Sequence, residues 1–182
     1  MTTRPHTSRV SAGEFHYKII NQPVSGTTRP VSQKLRAAIF DTLGHDLTEL
    51  NVLDLYSGSG ALAIEALSRG AVSAVTVEQD KQAIAAIRAN EREMGTSLGL
   101  KEESVEDFLG AVTSHYDVIF MDPPYALYSD RIAERAAKLL TAGGVLVVSC
   151  AAGQVLPKQL GTASMVKART YDDTQLAYYK NA

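Results

Sequence analysis

Asp54-Leu55-Tyr56-Ser57-Gly58-Ser59-Gly60-Ala61-Leu62-Ala63 closes an apolar run that begins at Val52 and opens a stretch of helical spacing. Two glycines one residue apart permit a tight strand-to-helix turn, and their lack of side chains lets a ligand approach the backbone amides. Gly58, Gly60 and Ala63 fit the G-x-G-x-x-G/A spacing of adenosine-binding folds. Glu78, 18 residues beyond Gly60, ends the next apolar run, where an acid can grip ribose hydroxyls. Tyr56, Ser57 and Gln79 flank these positions and join the candidate cofactor site. Asp80 suits an N-cap for the helix that follows.

Outward from this turn the pattern alternates. Strands are expected over 52–56, 74–78, 98–101, 117–121 and 145–150, and helices over 61–69, 81–94, 105–112 and 130–140. Five strands alternating with helices in this way imply an α/β fold, a mostly parallel sheet with helices on both faces. The tail departs from the rhythm, because 165–171 and 175–179 read as two strands joined at Asp172-Asp173, so the sheet ends in an antiparallel pair. Upstream, Leu35, Ile39, Phe40 and Leu43 recur at helical spacing from Ser32 to Gly44. Residues 1–29 lack that period, and Val10, Phe15, Tyr17 and Ile19 suit a short irregular hairpin. The expected organisation is therefore an N-terminal basic extension over 1–29 and one globular domain over 30–182.

Composition narrows the classes. With 182 residues, 45% hydrophobic and 21% charged, the chain suits one domain with an adequate core. No apolar run reaches the ~18 residues of a membrane span and the first residues are polar, so a cytoplasmic location is the default expectation. The one cysteine, Cys150, ends an apolar run and reads as a buried small side chain, and the four histidines lack ligand-like spacing, so no metal is expected. Charge is uneven. Residues 1–38 hold Arg4, Arg9, Lys18, Arg29, Lys34 and Arg36 against Glu14, leaving 12 basic and 19 acidic residues for the rest. A basic arm on an acidic body is the asymmetry expected if the arm meets phosphate.

Asp54 bears on which cofactor is held. A carboxylate there would repel a dinucleotide's pyrophosphate, but it favours S-adenosylmethionine, which presents an ammonium and a sulfonium in the same region. Downstream, Asp122-Pro123-Pro124-Tyr125 follows the fourth strand of the alternation directly. Two prolines cannot continue a parallel ladder, so the chain leaves the sheet as a stiff loop at the same edge as the glycine turn. Asp122 and the Pro123 carbonyl offer two acceptors for the N–H groups of a planar amine, Pro124 stiffens the loop, and Tyr125 offers a ring to stack a base. An exocyclic amine is a poor nucleophile, so alignment and stabilisation of the cationic nitrogen are what a catalyst must supply.

Asp54-x-x-x-Gly58-x-Gly60 with Asp122-Pro123-Pro124-Tyr125 resembles the class I methyltransferases that modify base amines. The longer string Thr28-Arg29-Pro30-x-Ser32-x-Lys34-x-Arg36, residues 53–62 and Glu65-Ala66-Leu67-Ser68-Arg69-Gly70-Ala71 is similar to the bacterial small-subunit (16S) ribosomal RNA guanine-N2 methyltransferase family. The resemblance implies a Rossmann-like seven-stranded sheet with one reversed strand, and modification of a guanine in ribosomal RNA or a small-subunit ribonucleoprotein particle. It also implies that Asp54, Gly58 and Gly60 line the methionine part of the cofactor, Glu78 the ribose, and Ser104 with Val105 the adenine. Arg9, Lys18, Arg29, Lys34 and Arg36 are the expected RNA contacts, and a monomer is the expected state. Two departures from the family's pattern are Lys18 as the lone basic residue of 13–19 and Ser104 where related enzymes carry an acid. Three other readings stand beside this one: an adenine-N6 methyltransferase, a nicotinamide-dependent oxidoreductase, and a non-catalytic module on the same fold.

Overall fold

The computed structural model describes residues 7–23 and 32–182. Four strands, β3 (Asn51–Leu55), β4 (Ser73–Val77), β5 (Tyr116–Met121) and β6 (Leu140–Ala151), lie parallel in the order β4-β3-β5-β6. They read as nearly continuous apolar runs because both faces are covered. Val52, Val118, Phe120 and Val147 face one core with α1 (Gln33–Leu43), α2 (Ala61–Ser68) and α3 (Lys81–Met94). Leu53, Leu55, Ile119, Met121, Leu146 and Val148 face the other, under α4 (Val105–Ala111) and α5 (Asp130–Ala137). The period-2 alternation of one strand therefore serves two cores.

Beyond β6 the sheet continues antiparallel through β9 (Thr174–Asn181) and β8 (Ala163–Tyr171) to the two-residue β7 (Gln159–Leu160), making seven strands. Two strands, β9 and β7, run against the parallel set rather than the one implied by resemblance. Residues 98–101, expected as a strand, make a single parallel bridge, Val77 to Lys101. Gly99 explains this: its φ of +54 interrupts extension, and a Cβ there would lie 2.8 Å from the Ala74 carbonyl. β6 begins five residues before the expected 145, running back through Gly143-Gly144 with a register irregularity against β5. Cys150 is buried in β6, and burial pushes its thiol up to about 11.

A hairpin of β1 (Thr7–Arg9) and β2 (Ile19–Asn21) precedes the sheet. It is anchored by Val10, Phe15 and Ile20 in the first core, and by hydrogen bonds along α2: Ser11 to Glu65, and the amides of Glu14 and Phe15 to Ser68. The hairpin loop thus sits at the C-terminal end of α2, while Gln22 and Pro23 after β2 return to the end where α2 begins.

Candidate active site

β3 leaves the sheet through Tyr56 (φ +58), Gly58 (φ +55) and Gly60 (φ +74). At Gly60 the left-handed backbone coincides with a close approach, since a Cβ would come within 3.0 Å of Leu98 Cδ1. The turn is fixed from β4 by Glu78, whose carboxylate accepts from the Gly58 amide at 2.8 Å and from the Gln79 and Asp80 amides at 2.9 Å each. Three backbone donors occupy most of the roughly four acceptor positions of a carboxylate. Asp80 caps α3, accepting from the Gln82 and Ala83 amides. Ser57 is buried, its hydroxyl donating to the Val77 carbonyl.

Asp54 is 1% exposed and accepts a hydrogen bond from the Ala63 amide at 3.3 Å. Burial raises its carboxyl well above the ordinary value, the Ala63 bond opposes this in part, and the negative charges of Asp122 and Glu78 push in the same direction as burial.

β5 ends at Met121, and Asp122-Pro123-Pro124 turns out of the sheet into a 3-10 turn, Tyr125–Leu127, closed by the Leu127 amide on the Pro124 carbonyl. The Tyr125 hydroxyl shares a 2.5 Å hydrogen bond with Thr174 Oγ1 at the start of β9, which holds a ring that is 40% exposed. The two loops read from the sequence meet. Asp54, Tyr56, Ser57, Gly58, Glu78, Gln79, Val105 and Asp122 to Tyr125 line one cleft of about 480 Å³.

Five acids line that cleft, Asp54, Glu78, Asp80, Glu103 and Asp122, and no cationic side chain does so among the described residues. Two hydroxyls in its wall, Tyr56 Oη and Ser149 Oγ, are buried without a hydrogen-bond partner among the described residues. Burial, with the Glu106 charge behind it, pushes the Tyr56 phenol up to about 12.

Some expected residues stand elsewhere. Ser104 caps α4, accepting from the Asp107 amide and donating to its carboxylate at 2.6 Å, and the wall at that point is Glu103 and Val105. Arg36 is 0% exposed, so it is not an RNA contact. Its guanidinium lies against Glu65 and donates to Ser8 Oγ and the Arg9 carbonyl, which leaves it no surface to present to a ligand. Lys34 is exposed beside Asp172, Arg9 bonds the Tyr17 carbonyl, and Lys18 reaches the last carbonyls of α3. Arg29 lies outside the described residues. Gln22, Pro23, Ser32, Leu35, Glu103, Leu127, Ser149 and Thr174 also line the cleft, outside both motifs. Of these, Ser149 left a trace, a lone hydroxyl in Val145-Leu146-Val147-Val148-Ser149 at the edge where Asp122 emerges.

Among the described residues no helix is long and apolar enough to cross a membrane. No group of three or more His, Cys, Asp or Glu among them stands together in an arrangement that could hold a metal ion.

A parallel sheet that ends in an antiparallel meander, a glycine turn after its first long strand and an acidic cleft at the strand ends define the Rossmann-like class I methyltransferase fold. Within that class the chain belongs to the family described as Conserved hypothetical protein 95, which matches residues 8–180. It is similar to YlbH of Bacillus subtilis (strain 168), a protein provisionally named as an rRNA methyltransferase, with 29% identity over 94% of this chain and 98% of that one. It is also similar to ribosomal RNA small subunit methyltransferase D of Haemophilus influenzae, 31% identical over 72% of this chain and 69% of that protein. Among solved structures, a hypothetical protein of Thermus thermophilus superposes with a TM-score of 0.80 at 30% identity, covering 94% of this chain and 98% of that one.

Proposed function

We propose that this chain transfers a methyl group from S-adenosylmethionine to the exocyclic N2 amine of a guanine in small-subunit ribosomal RNA. The observation that carries the reading is the shared cleft: Asp122-Pro123-Pro124-Tyr125 and the Gly58 turn line one cavity whose charged wall is entirely acidic among the described residues. Such a wall attracts a sulfonium and an ammonium and repels a pyrophosphate, which favours the methyl donor over a nicotinamide dinucleotide. The small-subunit ribosomal RNA substrate is supported by the names of the relatives, and the guanine by the resemblance of the longer sequence string.

S-adenosylmethionine supplies a methyl carbon already activated by positive sulfur. Asp54, the Gly58 turn and Glu78 would hold it, with Glu103 and Val105 toward the adenine, since the Ser104 side chain is engaged in its own helix cap. The protein's task at the other end is alignment. Asp122 and the Pro123 carbonyl accept the two amine N–H bonds, and the Tyr125 ring, fixed through Thr174, stacks the base. As the N–C bond forms and the C–S bond breaks, nitrogen becomes positive and both acceptor bonds strengthen. The proton then leaves to Asp122 or to water, and the thioether departs neutral.

In this reading residues 1–29 extend a methyltransferase domain of 30–182, and one copy suffices because a single chain furnishes both halves of the cleft. Arg9, Lys18 and Lys34, with Arg29, remain the phosphate contacts. The reaction is tested by incubating small-subunit RNA with the enzyme and labelled donor, digesting to nucleosides and identifying the product by mass spectrometry. N2-methylguanosine is expected; N6-methyladenosine would move the activity to adenine, and no labelled nucleoside would end the proposal. Asp122→Ala should lower transfer about a hundredfold or more while S-adenosylhomocysteine affinity stays within roughly tenfold. Undiminished turnover would remove Asp122 from the mechanism.

A further inference from the structure

We infer that Ser149 binds the target base, its hydroxyl meeting the ring nitrogen beside the amine being methylated. The inference rests on the proposed amine-methylating reaction but assigns a residue that the tetrapeptide and the glycine turn do not include.

Ser149 is 3% exposed, its Oγ has no hydrogen-bond partner among the described residues, and it lines the cleft. Most buried hydroxyls in folded proteins are paired, so an orphan in a cavity wall calls for a ligand group. Its position says which ligand. Met121 pairs with Val148, so Ser149 stands one step on, level with Asp122 on the neighbouring strand. Adjacent strands lie about 4.8 Å apart. Alternation places Ser149 on the face of Val147, and Asp122 on the face of Phe120, both of which belong to the first core.

The order across the sheet is then Glu78 after β4, Asp54 on β3, Asp122 after β5, Ser149 on β6 and Thr174 on β9. The glycine turn and its acids occupy the β3–β4 side of Asp122. Ser149 lies on the opposite side, between Asp122 and the Thr174 hydroxyl that holds Tyr125. That is the flank left for the base once the methyl donor sits over the glycine turn. On a purine or pyrimidine edge the atom next to an exocyclic amine's carbon is a ring nitrogen, either an N–H donor or a bare acceptor. A serine hydroxyl can serve either one, donating or accepting as required.

Ser149→Ala separates this role from the others. Nothing pairs the hydroxyl within the described protein, so the variant should unfold at the same temperature as the wild type or a few degrees higher. Its affinity for S-adenosylhomocysteine, read by calorimetry, should stay within about threefold, while single-turnover methyl transfer should fall about tenfold or more. Three results would overturn the inference: undiminished transfer, a loss of thioether affinity as large as the loss of transfer, or a lowered unfolding temperature. The wild type reports separately on the underlying reaction. If it methylates a base amine other than guanine N2, the variant is compared on that nucleoside; if it methylates no base amine, both proposals fall.

Discussion

Glu65 and Asp54 are both carboxylates taken out of water, 0% and 1% exposed, within one strand-turn-helix unit, and their surroundings are opposite. Glu65 lies against Arg36 at 3.4 Å and Arg69 at 2.9 Å and accepts from both the amide and the hydroxyl of Ser11. Arg69 in turn lies over the Phe40 ring and bonds His45. Asp54 has one long backbone bond among the described residues, and the charges acting on it are negative. Burying a lone charge is costly, so a fold keeps one only where it is neutralised or where a ligand will neutralise it. The first carboxylate staples the N-terminal hairpin and α1 to α2. The second is shaped for a cation that arrives from outside.

The contrast is broken most directly at Arg36. Arg36→Ala leaves Glu65 short of one partner and opens space in the first core, so a loss of about 3–5 kcal/mol is expected in urea unfolding, with no activity assay needed to see it. A variant as stable as the wild type would mean that the cluster is as dispensable as a surface pair.

The opposite result is expected in the cleft. Asp54→Asn removes an uncompensated carboxyl, so the ligand-free protein should gain stability at neutral pH, while affinity for S-adenosylmethionine falls roughly thirtyfold, about 2 kcal/mol. The sign with pH follows from the raised carboxyl. Between the unfolded value near 3.8 and the higher folded one, the native state holds the extra proton, so the wild type loses stability as pH rises through that window and the loss is complete above it. The Asn variant should lack this component. A cationic ligand reverses the preference by favouring the ionised form, so donor binding should release protons and weaken as pH falls through the same window. Calorimetry in buffers of different ionisation enthalpy measures that release; none detected would mean that Asp54 is already ionised without ligand.

These two carboxylates also mark what the sequence made legible. Asp54 stands four residues before Gly58 in a local pattern, and Asp122-Pro123-Pro124-Tyr125 announces itself because two prolines must leave a sheet. The buried Arg36 was not legible in that way. It looked like one more cation in a basic segment, and its burial depends on Glu65, 29 residues on, and on Ser8 and Arg9 of a hairpin whose docking no local pattern reveals. Ser104 differs in another way, since Ser104-Val105-Glu106-Asp107 is a capping sequence and its hydroxyl is engaged in that cap. Residues 98–101 supplied apolar character but not extension, because Gly99 takes a left-handed φ. Ser149 and Thr174 become site residues only once five strands are set in order, which is a property of topology rather than of any short segment.

Lys34 supplies a third kind of charge, against which the buried pair can be calibrated. Its ammonium lies 3.3 Å from Asp172, but the two side chains are 69% and 77% exposed, so water and salt screen the contact. Lys34→Ala should therefore leave unfolding almost unchanged, within about 0.5 kcal/mol. Its position favours a different consequence, because Ser32 and Leu35 on either side of it line the cleft while the lysine faces solvent at the cleft's margin. A phosphate reaching that margin would displace Asp172 and release counterions, so the substitution should lower the dependence of RNA binding on log salt by about one charge, with weakening similar across RNA sequences. Filter binding over a salt series gives that slope. An unchanged slope would make Lys34 a solvated helix residue and shift the phosphate contacts to Arg9, Lys18 and Arg29.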